Sequence, residues 1–256
     1  MTDFDSIRRH LDAERRTLAP QGWSIEILPS IARVRSVDGS HNSILFSSLS
    51  ETTADAVIAE QVAHYRKLDC EVEWKLYAHD TPPDLLQRLQ RHGFIIGPRE
   101  AVLVLDLHTR PSWMDEASAS QVVRVQTAEQ VDQFRRAAEE IFDKKYDFTA
   151  GELLAAIRSE STQHFGYMFL DGNKALSVGR LYTHPKSVFG GLCGGGTLKE
   201  HRGRGYYRAV VAARARDAEK LGARYLIVDA LPTSRPILER LGFAHLTDTW
   251  PCDLPR

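Results

Sequence analysis

The sequence predicts a mixed α+β fold, in which a mixed β-sheet is flanked by helices, built as two similar domains in tandem. Helical stretches with an apolar face alternate with short apolar strands along the 256 residues. The order of these stretches in the second half recurs, more weakly, in the first half. Both halves contain a short helix that ends in Gly-Phe, at Gly93-Phe94 and at Gly242-Phe243.

Composition limits the classes of function. Apolar residues make up 43% of the chain and charged residues 26%, as in ordinary globular proteins. The net charge of −1 provides no basic field for nucleic acid or an anionic membrane. The charged N-terminus lacks the apolar segment of a secretion signal, and no apolar run reaches the length of a membrane span. The three cysteines are too far apart for a zinc cluster or a disulfide framework, so we expect a cytoplasmic protein without a bound metal.

The elements of the second half follow from local patterns. A strand is predicted at 122–126, followed by a helix with Thr127 as its N-cap and then by a second short helix. Two strands surround the turn at 171–173, and a strand loaded with glycine follows them. The next helix begins at Gly205 and stops at Gly222. The stretches "ARYLIVDA", "SRPILERLGF" and "AHLTDTWPCDL" then read as a buried strand, a short helix and an extended end.

The first half repeats the later part of this order. "SILFSSLSE", "TADAVIAEQVAHYRKLD", "CEVEWKLYA" and "PPDLLQRLQRHGF" match a strand, a helix, a strand and a short helix in turn. We therefore predict a first domain over 1–107, a linker rich in Ser, Pro and Ala over 108–121, and a second domain over 122–256. One difference is chemical: the second half has Arg-Gly-Arg-Gly at 202–205, where the first half has "SSLSETTA", without glycine.

The stretch "KEHRGRGYYRAVV", at 199–211, places two glycines and several arginines at the mouth of a helix. The N-terminus of a helix has unpaired N–H groups and a partial positive charge, so it attracts anions such as phosphate. Glycine lets the backbone touch the ligand; the alternative is that the glycines only punctuate a loop. The stretch has no Gly-Lys-Ser/Thr of a Walker A loop, and Arg208 stands where a dinucleotide fingerprint needs its third glycine.

The order of strand, glycine turn, helix, buried strand and Leu-Gly-Phe helix resembles the GNAT superfamily of acetyl-CoA-dependent N-acetyltransferases. That family has an Arg/Gln-x-x-Gly-x-Gly/Ala turn, and 202–205 match its first four positions. Tyr206 takes the variable fifth position, and Tyr207 departs from the small residue usual at the sixth. The resemblance covers 122–256, and the first half resembles a degenerate GNAT domain.

The resemblance implies acetyl-CoA as co-substrate. The amides from about Gly203 to Arg208 would hold the pyrophosphate, with the charges of Arg202 and Arg204 nearby. Backbone groups of Thr197 and Leu198 would lie along the pantetheine and polarise the acetyl carbonyl, and a hydroxyl would replace the family's usual Asn at the start of the last helix. The cofactor-binding residues implied are Thr197, Leu198, Arg202, Gly203, Arg204, Gly205, Tyr206, Tyr207, Arg208 and Ser234.

The implied reaction is direct attack of a neutral amine on the thioester, which needs a proton acceptor for the amine. The tyrosine that the family often uses as the acid is replaced by Leu238. Asp229, at the end of a core strand, is the preferred candidate for binding the amine or relaying its proton. His184 and Glu200 are further candidates, and both also have a purely structural interpretation. The glycine strand would leave room for a bulky acceptor.

The sequence thus indicates an N-acetyltransferase acting on a small-molecule or peptide amine, as a monomer with an internal pseudo-dimer or as a homodimer. Neither nucleic acid nor a membrane is expected as a partner. Two alternatives stay open. One is a non-catalytic acyl-CoA-binding or sensing protein, and the other is a transferase that uses another acyl-CoA or an aminoacyl donor.

Overall fold

A computed structural model describes residues 3–256, which divide into two compact units. Unit 1 comprises the chain up to Leu103 together with Asp229–Ile237 and His245–Arg256, and unit 2 comprises Val104–Val228 and Leu238–Ala244. Within 3–256 we find no helix with the length and the apolar character needed to cross a bilayer.

Helices and strands alternate along the chain as the sequence predicts. The elements up to the middle of the chain are α1 (Phe4–Thr17), β1 (Trp23–Ile27), β2 (Ile31–Ser36), β3 (Asn42–Ser47), α2 (Ala54–Lys67), β4 (Val72–Tyr77), α3 (Leu85–Arg91), β5 (Ile95–Ile96) and β6 (Glu100–Asp106). Those that follow are β7 (Val122–Arg124), α4 (Ala128–Phe142), α5 (Asp147–Arg158), β8 (His164–Asp171), β9 (Lys174–Tyr182), β10 (Phe189–Thr197), α6 (Tyr206–Lys220), β11 (Tyr225–Ala230), α7 (Arg235–Arg240) and β12 (Ala244–Leu254).

Unit 1 is built on the strand order β1-β2-β3-β4-β12, with β5 also paired to β12. Strands β3 and β4 run parallel, and β12 lies antiparallel to β4 with Cys252 opposite Trp74. The core combines these strands with α2 and α3. Its most buried members include Ile44, Ile58, Trp74, Leu89 and Cys252.

Unit 2 has the strand order β11-β10-β9-β8-β7. Strands β10 and β11 are parallel, whereas β7, β8, β9 and β10 pair antiparallel in succession. Helix α6 packs against β8, β9 and β10, helix α4 packs against the same strands, and helix α5 packs against α4 and β8. The core under α4 and α5 is apolar, with Phe134, Leu153, Met168 and Val178 among its buried members.

The local patterns form the predicted elements. Thr127 caps α4, and its side chain accepts a hydrogen bond from the Gln130 N–H. Gly172, in the turn between β8 and β9, has a φ of 56°. The same order of strand, helix, strand and short helix occurs in β3–α2–β4–α3 and in β10–α6–β11–α7, and the two strands of each set are parallel. The mixed α+β fold and the repeated order are confirmed.

The segment predicted as a linker, 108–121, is packed within unit 2. It forms short 3₁₀ helices over Leu107–Thr109, Ser112–Asp115 and Ala117–Gln121. Met114 is fully buried, and the indole N–H of Trp113 donates to the Leu241 carbonyl at 2.8 Å. These contacts tie the segment to the rest of unit 2. The assignment of 108–121 as a linker and the domain boundaries drawn from the repeat stay predictions.

Candidate functional site: a glycine turn at the start of α6

The turn between β10 and α6 has the conformation that its glycines predict. Gly203 has a φ of 77° and Gly205 has a φ of 83°. Both values lie in the left-handed region, which residues other than glycine adopt only with strain. A β-carbon added at either position would meet no atom within 4 Å. The turn therefore needs glycine for its backbone shape and is open above both glycines.

The first amides of α6 are left without helical partners. Gly205 is the N-cap and has no side chain with which to cap the helix, and the first backbone bond runs from the Ala209 N–H to the Gly205 carbonyl at 3.0 Å. The N–H groups of Tyr206, Tyr207 and Arg208 are consequently unpaired within the helix. They stand at the positive end of the helix dipole, which is a favourable place for an anion.

The equivalent turn in unit 1 is closed by side chains. Before α2, the Thr53 N–H donates to the Ser50 hydroxyl at 3.1 Å, and this hydroxyl also contacts the Thr53 hydroxyl at 2.7 Å. The Ala54 N–H donates to the Ser50 carbonyl at 3.0 Å. The two repeats thus share a topology but differ at this helix start, as the absence of glycine in the first half predicts.

The three arginines of the turn have different environments. The Arg202 Nε donates to the Thr197 carbonyl at 3.1 Å, which holds the guanidinium beside the end of β10. Arg204 is exposed on the turn. Arg208 forms an ion pair with Glu116, so the charge of its side chain is already balanced.

The two tyrosines after the turn pack into unit 2. The Tyr206 ring stacks on Phe169, with ring centroids 4.3 Å apart. Tyr207 lies over Gly195, where a β-carbon would stand 3.0 Å from the Tyr207 Cε2 and 3.2 Å from the Arg214 Nη2. The departure from a small residue at the sixth motif position therefore adds core packing instead of filling the turn.

The strand that leads into the turn has an open edge. β10 pairs with β11 only over Phe189–Gly191, and its register with β9 shifts at a bulge between Cys193 and Gly196. The Leu198 N–H donates to the Leu176 carbonyl at 3.0 Å, so this amide belongs to the sheet. Successive residues of a strand point their N–H groups to opposite edges, so the Thr197 N–H points to the edge that β11 leaves free.

The glycines of β10 make room for side chains of the protein itself. A β-carbon at Gly196 would stand 2.5 Å from the Ile141 Cγ2, and one at Gly190 would stand 2.9 Å from the Ala218 Cβ. Helices α4 and α6 therefore approach the sheet at these glycines. This corrects the expectation that the glycine strand leaves space for a bulky acceptor.

In unit 2, His184 lies in the loop after β9 and Glu200 lies in a short 3₁₀ helix, Lys199–His201. The His184 Nδ1 accepts the Lys186 N–H at 3.1 Å, which orients the ring within the turn after β9. Glu200 is exposed just before the glycine turn, 3.6 Å from the Lys174 ammonium. A hydrogen bond from its own backbone N–H, aided by the Lys174 charge, holds the pKa of Glu200 below its ordinary value, so it is ionised at neutral pH.

Asp229 and Ser234 fall in unit 1. An Asp229 carboxylate oxygen lies 3.0 Å from the Lys75 Nζ, and the same ammonium lies 2.9 Å from Glu100. Burial by itself would lower the pKa of Lys75, but these carboxylates raise it above its ordinary value. The Ser234 hydroxyl donates to the Leu231 carbonyl at 3.2 Å. In unit 2, Leu238 is fully buried and offers no proton at the place of the family's tyrosine.

A polar cluster that the sequence reading missed lies on the face of unit 2 covered by α5; we call it the Arg180 cluster, and it comprises Thr149, Glu152, His164, Arg180 and Tyr182. The Arg180 Nη1 donates to the Tyr182 hydroxyl at 2.7 Å and to the Thr149 hydroxyl at 3.3 Å. The Tyr182 hydroxyl donates to a Glu152 carboxylate oxygen at 3.3 Å, and the His164 ring stacks on Tyr182. An arginine at an inward position of the apolar strand "KALSVGRLY" was the available clue.

In unit 1, the side chains of Asp12, His79 and Asp80 could offer three ligand atoms that lie within 4.8 Å of one another. Arg15 occupies this place, because its guanidinium lies 2.7 Å from Asp12 and 2.8 Å from Asp80. We interpret the group as a buried ion-pair network that ties α1 to the sheet. Its cation is the guanidinium.

Comparison with known proteins identifies the fold. No protein-family model matches the sequence, and no curated protein matches it. Among solved structures, the chain is similar to a GCN5-related N-acetyltransferase from Kribbella flavida, with 13% identity and a TM-score of 0.65 over 99% of this chain and 94% of that one. A GNAT acetyltransferase from Novosphingobium aromaticivorans gives 14% identity and a TM-score of 0.58 over 88% of each chain.

A third similar structure has the tandem arrangement. It is a tandem GNAT protein from the clavulanic acid biosynthesis pathway, solved without acetyl-CoA, with 13% identity and a TM-score of 0.57 over 95% of this chain and 86% of that one. At these identities the likeness concerns the fold. The chain therefore has the fold of the GNAT N-acetyltransferases, along most of the length of a tandem member.

Proposed function

We propose that the chain is an N-acetyltransferase that binds acetyl-CoA at the turn before α6 and transfers its acetyl group to an amine. The observation that carries the proposal is the pair of left-handed glycines, open above, at the uncapped start of α6. An anion seated there would meet the amides of Tyr206, Tyr207 and Arg208 and the charges of Arg202 and Arg204.

The free edge of β10 is the proposed binding site for the pantetheine arm of acetyl-CoA. From Leu192 to Thr197 this edge is unpaired with β11, and six residues of strand span about 20 Å. That length suits an extended pantetheine arm, whose amides would pair with the exposed backbone. The acetyl group would then lie near the bulge at 193–196, where a strand N–H would stabilise the oxyanion of the transition state.

The proposed reaction does not require a side chain that acts as a general acid. The neutral amine attacks the thioester carbonyl, the nitrogen loses one proton, and the carbon–sulfur bond breaks to release the CoA thiolate. A thiol has an ordinary pKa of about 8.5, so the thiolate can leave without an acid. This accommodates the buried Leu238 at the position of the family's tyrosine.

We propose Asp229, His184 and Glu200 as candidate proton acceptors. Each already has a polar contact within the protein that competes with binding of the amine: Asp229 contacts Lys75, His184 accepts the Lys186 N–H, and Glu200 contacts Lys174. The pH profile of kcat separates the roles. Asp229→Asn, His184→Gln or Glu200→Gln should remove the ascending limb for the residue that accepts the proton. A variant that keeps the parental profile shows that its residue is structural.

The binding site is tested with acetyl-CoA and isothermal titration calorimetry. Gly205→Glu places a carboxylate at the helix start, and we expect it to weaken binding on the order of 100-fold, or about 2.7 kcal/mol. Gly222→Glu is the matched control, because Gly222 ends the same helix with a φ of 86° and has equally open surroundings. Equal binding by the two variants, or none by the parental chain, would sink the site.

A non-catalytic acyl-CoA-binding protein is the second candidate, and the buried Leu238 is the observation that favours it. Thiol release with a panel of amines and acyl-CoA donors separates the two. Turnover that is lost in Gly205→Glu supports the transferase. Saturable binding of acetyl-CoA without thiol release for any amine supports the sensor.

The acceptor is an amine, and the proposed setting is the cytoplasm. Cys70, Cys193 and Cys252 are not joined in disulfides, which suits a reducing compartment.

A further inference from the structure

Among the described residues of unit 2, three buried side-chain polar atoms have no hydrogen-bond partner: the Nε of Arg180, the Nε2 of His164 and the Nδ1 of His201. The first two belong to the Arg180 cluster, whereas His201 lies just before the glycine turn. Most buried polar groups in proteins are paired, and an unpaired one costs about 1–3 kcal/mol, so two in one cluster require an explanation. A polar ligand bound beside these atoms would satisfy them.

The cluster also holds more positive than negative charge. Only 15% of the Arg180 side chain is exposed, and across residues 3–256 the carboxylate within 4 Å of it is that of Glu152, at 3.8 Å. Glu152 also accepts the Tyr182 hydroxyl, so its charge is shared. On the other face of β9, Arg214 is 1% exposed and pairs with backbone carbonyls instead of a carboxylate. Buried cations are normally balanced by an anion.

The geometry of Arg180 selects the kind of anion. The Nη1 contacts Thr149, Tyr182 and Glu152, whereas the edge formed by Nε and Nη2 faces Gly194, in the bulge of β10. This edge is the one that a carboxylate binds through two parallel hydrogen bonds. A phosphate, with its second negative charge, would be repelled by the nearby Glu152, whereas a ligand with both charges would match both side chains.

We propose that the acceptor is an amine that carries a carboxylate close to the amino group, an amino acid or a derivative of one, and that the free edge of Arg180 binds this carboxylate. Glu152 and the Tyr182 hydroxyl then face the ammonium end. The inference rests on the proposed acetyl transfer for the use of the amine, but the carboxylate site itself is a matter of binding. Arg180 acts here as a specificity residue.

The first experiment compares acceptors that differ only in the carboxylate. Thiol release is measured with acetyl-CoA and the standard amino acids, with their primary amides, and with the decarboxylated amines. We expect kcat/KM for the preferred amino acid to exceed that of its amide on the order of 100-fold, because a buried guanidinium discriminates strongly against an uncharged partner. Equal rates for acid, amide and amine would overturn the inference and leave the transferase intact.

The second experiment changes the arginine. Arg180→Gln should remove most of the preference for the acid through KM, with kcat for the amide little changed, and Arg180→Lys should retain part of the preference. Arg124→Gln is the matched control, since Arg124 lies on β7 of the same unit, with its guanidinium over the Phe165 ring 4.1 Å from the centroid. A preference that survives in Arg180→Gln refutes the role of Arg180.

A third measurement needs no turnover. In ¹⁵N spectra of arginine side chains, the Nε–H of Arg180 is assigned as the signal missing from Arg180→Lys. It should shift when the amino-acid mixture is added and stay in place when the amides are added. If acetyl-CoA does not bind but this shift occurs, the proposed transferase fails and the carboxylate site stands. No shift with any amino acid, with or without acetyl-CoA, overturns the site.

Discussion

The guanidinium of Arg214 occupies the space above Gly179: a β-carbon on Gly179 would stand 2.7 Å from the Arg214 Cζ. The Arg214 Nη1 donates to the carbonyl of Arg180 at 3.0 Å and to that of Cys193 at 3.5 Å. The arginine thus ties β9 to the strand residue at which the bulge of β10 begins. The shape of the open edge depends on this contact.

Gly179→Ala should destabilise unit 2. The added methyl group meets a buried, hydrogen-bonded guanidinium instead of a flexible chain end, so we expect a loss of roughly 1–3 kcal/mol in the free energy of unfolding. Gly151→Ala is the control, because Gly151 lies within α5 and its β-carbon would meet nothing within 4 Å. There the substitution should stabilise by about 0.5–1 kcal/mol. Urea unfolding followed by circular dichroism measures both; equal effects would contradict the packing argument.

Arg214→Met should cost stability and loosen the bulge. Methionine fills much of the volume, but it leaves the Arg180 and Cys193 carbonyls without their donor. We expect a loss of roughly 1–3 kcal/mol. Burial lowers the pKa of Arg214, so part of the cost of losing the bonds is offset by removing a buried charge. Hydrogen exchange of the β10 amides checks the second effect: protection at 192–197 that matches the parental chain would refute it.

His164 should make the protein sensitive to acid. Burial, with a smaller effect from Arg180, lowers the pKa of His164 to about 3, whereas an unfolded histidine titrates near 6.5. Between these values the unfolded chain binds one proton more than the folded chain. Stability is therefore full above the unfolded pKa and falls by about 1.4 kcal/mol for each pH unit below about 6, until the folded pKa is reached.

The test is His164→Phe, which keeps a ring stacked on Tyr182 without a titrating nitrogen. Between pH 6 and pH 4, the free energy of unfolding of this variant should rise steadily relative to that of the parental chain. Above pH 7, the two free energies should change with pH by the same amount. His108→Phe, at an exposed position, should show no such gain. Parallel pH profiles for His164→Phe and the parental chain would show that the ring is protonated without cost.

Arg204→Gln should weaken acetyl-CoA binding by a factor that depends on salt. Its exposed charge sits on the turn, so we expect a loss of about three- to tenfold at low ionic strength and little difference at 0.5 M salt, where screening is strong. Lys220→Gln removes an exposed charge at the opposite end of α6 and should leave the affinity unchanged. A loss for Arg204→Gln that persists at high salt would indicate a change of turn shape instead of a charge effect.

Local patterns were sufficient for the elements and for the glycine turn. The Thr127 cap, the turn at Gly172 and the helix stop at Gly222 each depend on neighbours in sequence. A left-handed glycine at a helix start exposes backbone N–H groups in any fold. The repeated order of strand, helix, strand and short helix could be read for the same reason. The fold class and the open turn followed from these features.

Tertiary contacts decided the uses of the glycines and the charges. Whether the space beside Gly195 or Gly196 belongs to a ligand or to Tyr207 and Ile141 depends on how closely α6 and α4 approach the sheet, and no local pattern records that distance. Asp229 looks free in sequence because Lys75 is far away along the chain. The Arg180 cluster brings α5 together with β8 and β9, and burial and charge pairing across such separations exist only after the strands have paired.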